Sequence, residues 1–181
     1  MDKEQVRESL ARSRRPSARV NKAVVAGLFE FVAPRLPGTI AGYLAMGHEP
    51  DLEELWNRLP GWRWVLPRIE GDGSLTFRDQ AIAREDHPLG MTQPVGSGPI
   101  IRIPDLDVIL VPALAFDRSG ARLGRGGGHY DRVLAARRPG SHAIGVSTRA
   151  RLIDRVPMEA HDQSVDWLAT EDGVSLCSPR S

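Results

Sequence analysis

Apolar positions recur at helical spacing near the start of the chain. Val6 and Leu10 stand on one face and predict a helix over 2–14, with Asp2 as its N-cap. Arg12, Arg14 and Arg15 crowd its end, where positive charge suits the helix dipole. Pro16 and Ser17 interrupt the pattern. A longer stripe, Val20, Val24, Leu28, Phe31 and Val32, predicts a second helix over 18–33, ended by Pro34. The period then changes. Residues 39–44 read as a short buried strand, 47–50 as a turn, and Asp51 as the cap of a helix carrying Leu52, Leu55 and Leu59. Another strand is expected over 63–66, stopped by Pro67, and a short one over 75–77. Residues 84–99 show no periodicity, and a loop of that length is often functional. The clearest buried strand is 107–111, closed by Pro112. A helix over 129–138, a strand over 143–146, a short helix within 149–155 and a last strand over 164–169 complete the pattern.

Short strands alternating with helices predict an α/β protein: a single three-layer α/β/α domain over 1–181 with a mainly parallel, Rossmann-like sheet. Residues 172–181 are expected to fray. The aromatic residues Trp56, Trp62, Trp64 and Phe77 are assigned to the core. Composition agrees with a globular chain, at 41% hydrophobic and 26% charged over 181 residues. With 24 Lys and Arg against 23 Asp and Glu, the total charge does not argue for a polyanionic partner. The basic residues Arg12, Arg14, Arg15, Arg19 and Lys22 lack interleaved aromatics, so no nucleic acid is expected. One cysteine, Cys177, excludes an intrachain disulfide. No apolar run approaches membrane length and the start lacks a secretory pattern, so no membrane contact and a cytoplasmic location are the expectation, with a monomer as the default state.

Chemistry concentrates between Pro112 and Arg132, which leaves the end of the strongest strand and runs into a helix. In open α/β sheets ligands bind at that edge. Gly124, Gly126, Gly127 and Gly128 let backbone N–H groups approach phosphate oxygens, and the helix start adds unpaired donors. Arg122 and Arg125 can fork onto phosphate, and Asp131 offers a hard carboxylate oxygen to a divalent cation. The segment is neither a Walker A loop, since no Gly-Lys-Ser/Thr follows, nor the dinucleotide fingerprint.

These residues carry a resemblance. Phe116, Asp117, Gly120, Arg122, Gly124, Gly126, Gly128, Tyr130 and Asp131 resemble the signature of the 5-formyltetrahydrofolate cyclo-ligase family. The segment from Pro157 to Asp166, the pair Lys3 and Arg7, residues 43–49 and residues 90–94 are similar to further blocks of that family, so the likeness spans nearly the whole chain. It implies Mg2+- and ATP-dependent closure of 5-formyltetrahydrofolate to 5,10-methenyltetrahydrofolate, with small-molecule partners only. Lys3, Arg7, Arg122, Gly124, Arg125, Gly126, Gly128, Tyr130 and Asp131 would serve ATP, with Arg122 and Tyr130 catalytic. Asp131 and Asp162 match the family's magnesium carboxylates, and Met46, Glu49 and His129 would face the folate.

Departures from the family's pattern are also present. Gln93 stands where Glu is usual, His129 replaces a tyrosine, and Arg125 and Gly127 fill positions often held by Tyr and Lys. Gln93 and His129 are the support for an alternative, a non-catalytic relative that binds nucleotide or folate.

Overall fold

The computed structural model describes residues 3–10, 15–88 and 90–180. The chain forms α1 (Lys3–Leu10), α2 (Ala18–Val32), β1 (Thr39–Ala41), α3 (Glu53–Arg58), β2 (Arg63–Ile69), β3 (Leu75–Asp79), β4 (Arg84–Asp86) and β5 (Thr92–Pro94). It continues with β6 (Val108–Pro112), β7 (Ala115–Phe116), β8 (Arg122–Leu123), α4 (His129–Ala136), β9 (His142–Val146), β10 (Trp167–Thr170) and β11 (Gly173–Leu176), with 3-10 turns at Ile103–Asp105 and Arg149–Arg151.

Seven strands make one sheet in the order β11-β10-β9-β6-β1-β2-β3. The five inner strands run parallel, and β3 and β11 close the two edges antiparallel. Burial on both faces explains the unbroken apolar run of β6. Val108 and Leu110 point to the layer of α2 and α3, while Ile109 and Val111 point to the layer of α4. The result is the expected three-layer α/β arrangement. Trp56, Trp62, Trp64 and Phe77 all lie in these cores.

Several boundaries differ from the pattern-based expectation, each for a local reason. Ser17 is not merely a break but the N-cap of α2, its Oγ accepting from Val20 N at 3.3 Å. Asp51 serves α3 from one residue further out, accepting from Glu53 N at 3.0 Å. Pro67 does not stop β2. It faces Phe77 across the β2–β3 ladder, and the Phe77 carbonyl turns outward to accept from Ile101 N, so the missing proline N–H breaks no bond there. The unpatterned stretch 84–99 contains the β4–β5 hairpin, and the expected frayed tail contains β11, paired with β10. The helix expected over 2–14 is described over 3–10. Its proposed cap Asp2, and Arg12 and Arg14, lie outside the described residues.

Two acidic residues of the recognised blocks are structural. Asp166, ahead of β10, accepts from Ala143 N at 2.9 Å and pairs with Arg137 after α4, at the sheet edge away from the strand C-termini. Asp117 is buried after β7. Its Oδ1 accepts from Ser119 N, Ser119 Oγ and Ala121 N, and its Oδ2 accepts from Val156 N at 2.8 Å. One carboxylate thus shapes the β7–β8 turn and fastens it to the strand of chain leading to Asp162. Gly120 completes that turn at φ 80°, where a Cβ would meet Val165 O at 2.3 Å. Asp117→Ala strands the N–H groups this carboxylate serves, so it is expected to lower stability by about 3 kcal/mol in urea unfolding. A loss under about 0.5 kcal/mol, the usual range for an unimportant surface site, would contradict this role.

Candidate active site

The winding reverses between β1 and β6. From β1 the chain passes to β2 on one side, and from β6 it passes to β9 and β10 on the other. Beyond the C-terminal ends of these strands the reversal opens a crevice, the place where open α/β sheets bind ligands. A cleft of about 630 Å³ occupies it, floored by Tyr43, Leu44, Pro112 and Ala113. That volume suits a small-molecule site. One wall is the loop 124–128 with the start of α4, a second is α1 with the segment 157–162, and a third is the apolar group Ile69, Leu75 and Met91.

Every residue expected in the site lines this one cleft: Lys3, Arg7, Met46, Glu49, Arg122, Gly124, Arg125, Gly126, Gly128, His129, Tyr130, Asp131 and Asp162. Gly126 (φ 105°) and Gly128 (φ 61°) take left-handed conformations, and Gly128 caps α4 without a side chain. Arg122 is 6% exposed, and its Nη2 lies 2.6 Å from Asp131 Oδ1. That ionic contact is not aligned as a hydrogen bond, and Arg122 Nε and Nη2 have no hydrogen-bond acceptor among the described residues. The Tyr130 hydroxyl is likewise buried without a partner, and burial pushes its pKa well up. Buried donors without acceptors are costly in a native structure, and here both belong to residues that line the cleft.

The opposite wall carries the second carboxylate. Asp162 Oδ2 accepts from Lys3 Nζ at 2.7 Å and from Glu159 N at 2.6 Å, and Lys3 also pairs with Glu159 at 3.0 Å. Asp131 Oδ1 accepts from Gln163 N at 2.9 Å, which ties the two carboxylate segments together. Among the described residues no three His, Cys, Asp or Glu side chains form a metal cage. Two oxygen donors on adjoining walls fit Mg2+, which is held by one or two carboxylates together with substrate phosphates and water.

On the folate side of the expected site, Glu49 is 8% exposed and accepts from Met46 N at 2.8 Å, with Arg125 Nη2 3.5 Å away. Burial raises its pKa against the opposing pull of the Met46 amide and Arg125. His129 is held neutral-leaning, first by burial and then by Arg132. A Cβ on Gly127 would lie 2.6 Å from the His129 ring, so the two departures from the family pattern are coupled: the imidazole occupies the space a side chain at 127 needs. Gln93 does not line the cleft. Its Oε1 accepts from Ile69 N at 3.1 Å, and its side chain faces Glu85 across the β4–β5 pair, where a second carboxylate would repel the first.

Sequence patterns did not single out His48 or the apolar wall. His48 is buried, with Nε2 3.2 Å from Ala113 O, and so fastens the turn that carries Glu49 to the end of β6. Ile69, Leu75 and Met91 belong to elements whose ends were misread or unpatterned, so their convergence had no local signal.

Fold and cleft together define a doubly wound α/β protein with a glycine-rich loop and two carboxylates, Asp131 and Asp162, lining a cleft at its switch point. The chain belongs to the 5-formyltetrahydrofolate cyclo-ligase family, whose pattern matches residues 2–171. It is 34% identical over 184 aligned positions to the 5-formyltetrahydrofolate cyclo-ligase of Mycolicibacterium smegmatis, covering 93% of each chain. It is also similar to the solution structure of Aquifex aeolicus 5,10-methenyltetrahydrofolate synthetase, with a TM-score of 0.81 and 29% identity, covering 100% of this chain and 96% of that one. The Mycoplasma pneumoniae 5,10-methenyltetrahydrofolate synthetase shares the fold at a TM-score of 0.78 and 22% identity, covering 94% and 99%.

The Lys3–Asp162 pair has a pH signature. Burial alone would lower the Lys3 pKa, but the Asp162 and Glu159 carboxylates outweigh it and raise it. Burial alone would raise Asp162, but Lys3 and the Glu159 amide outweigh it and lower it. The Asp162 contribution is complete above about pH 4 and lost as pH falls through its depressed folded value; that of Lys3 is complete below about pH 10 and lost as pH rises through its raised one. In metal-free buffer Lys3→Met is therefore expected to cost up to about 1 kcal/mol near neutrality. The difference from the parent should shrink below about pH 4 in urea titrations. An undiminished difference at about pH 3 would rule out the pair as its source.

Proposed function

We propose that this chain closes 5-formyltetrahydrofolate to 5,10-methenyltetrahydrofolate with cleavage of ATP to ADP and phosphate. The observation that supports this reading is the buried Arg122 guanidinium, with unsatisfied donors, on a residue that lines a cleft bounded by glycine backbone and by both Asp131 and Asp162. The triphosphate lies along the loop 124–128, with Lys3 and Arg7 reaching it from α1. Arg7 already touches the loop, its Nε donating to Gly124 O at 3.1 Å.

Glu49 accepts paired hydrogen bonds from the amino-pyrimidinone edge of the pterin, as carboxylates read exocyclic amines on bases. Met46 and His129 flank the ring. The formyl oxygen on N5 attacks the γ-phosphorus and ADP leaves. N10 then attacks the activated carbon and gives up its proton to solvent, and phosphate departs with cleavage of the C–O bond as the methenyl bridge forms. Transfer of this kind requires alignment and charge neutralisation rather than a protein nucleophile. Arg122 and Tyr130 are placed to donate to oxygens that gain charge on the way. Mg2+, when held by Asp131 and Asp162, neutralises phosphate charge. Gln93, one support for a binding-only relative, accepts from Ile69 N and is not among the residues that line the cleft.

Incubating the protein with 5-formyltetrahydrofolate, ATP and Mg2+ should produce methenyl absorbance. Arg122→Ala is expected to lower turnover on the order of a hundredfold, through lost transition-state charge stabilisation. Near-normal turnover by a folded Arg122→Ala would remove the basis of the assignment. Glu49→Gln keeps the shape of the side chain but loses its charged acceptor. It should raise the KM for the folate about tenfold, as loss of a hydrogen bond to a charged group does, while the KM for ATP moves little. Equal changes in both constants would place Glu49 elsewhere in the mechanism.

A further inference from the structure

Arg151 is a buried cation, 5% exposed, with no carboxylate partner among the described residues. Among the described residues its guanidinium donates to backbone carbonyls: Nη1 to Leu114 O at 3.2 Å and Nη2 to Leu10 O at 3.1 Å. A buried charge paid only by neutral acceptors is expensive, and an apolar side chain would fill the same space more cheaply. What the guanidinium adds is reach, since its planar fork joins two separate elements.

Those elements matter. Leu10 is the last described residue of α1, and its carbonyl accepts from the Arg151 guanidinium. Leu114 stands at the base of the β7–β8 hairpin, bonded through its N–H to Leu123 O, beside Arg122 and Gly124. Arg151 itself is held on rigid ground: its N–H donates to Thr148 O, and the next residues bridge to Phe116 through Leu152 and through Ile153 N at 2.9 Å.

Helix α1 is held by its contacts with the rest of the fold, since most helical stability in proteins comes from tertiary packing. Its apolar anchor is Val6, supported by Leu10, in the small cluster with Ala115, Ala121, Leu123 and Val156. Two further ties of the helix, Lys3 and Arg7, face the cleft. When those two side chains turn to a ligand, Arg151 still holds the Leu10 end of the helix from outside the cleft.

We propose that Arg151 is a positioning residue: it clamps the C-terminal end of α1 to the base of the β7–β8 hairpin and so sets the angle at which Lys3 and Arg7 enter the cleft. This rests on the reading that those two residues serve ATP, and it adds a residue outside the cleft on which nucleotide affinity depends.

The test uses the full chain with Arg151→Ala and Arg151→Lys, followed by hydrogen exchange without ligands and by steady-state kinetics. In Arg151→Ala the amides of residues 7–10 should exchange at least about tenfold faster while those of β6 and β9 keep their protection. The KM for ATP should rise on the order of tenfold, with the KM for the folate within about twofold. Arg151→Lys, which keeps the charge but reaches fewer carbonyls, should fall between parent and Ala in both readouts. Unchanged exchange in α1, equal quickening of α1 and the sheet in both variants, or a parallel rise in both KM values would each overturn the proposal. Lys3→Ala and Arg7→Ala serve as controls. If neither moves the KM for ATP, the nucleotide reading fails, and exchange in α1 alone then decides whether Arg151 is the clamp.

Discussion

The geometry of the cleft depends on one carboxylate oxygen, Asp131 Oδ1. It sits 2.6 Å from Arg122 Nη2 and accepts from Gln163 N at 2.9 Å. The first contact closes the glycine loop by joining its entrance to the first turn of α4. The second brings the segment bearing Asp162 against that turn. The other ties of the loop 124–128 are at its first residues, where Gly124 O accepts from Arg7 and the Arg125 guanidinium lies 3.5 Å from Glu49. The glycines allow the bend, but freedom alone does not choose a conformation. The charged contact chooses it.

The sheet behind this loop was legible because its signals are local and additive. The four apolar residues of β6 in a row, bounded by Pro112, announce burial on both faces. The stripe of α2 announces one packed face, and the glycine-rich segment announces backbone exposed to a ligand. Errors gathered where a residue's meaning depends on its partner. Pro67 reads as a strand end until the register shows its missing N–H opposite Phe77, in a pair that uses no hydrogen bond. Gln93 reads as a lost catalytic charge until Ile69 N and Glu85 appear beside it. The tail reads as frayed because β11 has little apolar pattern of its own and depends on pairing with β10. His48 and Arg151 were invisible for the same reason, since both act through carbonyls of distant residues, Ala113 for one and Leu10 and Leu114 for the other.

The ion pairs lining the cleft bear on how a charged ligand enters. Asp131 faces Arg122, Asp162 faces Lys3, and Glu49 faces Arg125. The cleft therefore does not present bare positive charge, and long-range attraction of an anion is weak. Pairing nonetheless keeps buried cations and carboxylates folded in place, where an unpaired charge would be costly. On the proposed reading, a metal–triphosphate complex exchanges partners with these pairs. Its phosphates would meet the cations, Asp131 and Asp162 would hold the magnesium ion, and Glu49 would accept from the neutral N–H groups of the pterin edge. The cations and the two aspartates would thus exchange one counter-charge for another, while Glu49 would exchange Arg125 for neutral donors.

Such exchange also accounts for the two kinds of group in the cleft. Groups with exchangeable partners set where the ligand's charges go, but the exchange itself contributes little net energy. Groups with no partner, Arg122 Nε and the Tyr130 hydroxyl, lose nothing on binding and gain hydrogen bonds outright. Differential stabilisation is therefore concentrated in these orphan donors. If they meet oxygens whose charge grows during phosphoryl transfer, the gain is larger in the transition state than in the ground state, which is the condition for catalysis rather than tight binding. On the proposed reading, matched ion pairs alone would bind a nucleotide, and the unsatisfied donors would add the means to turn it over.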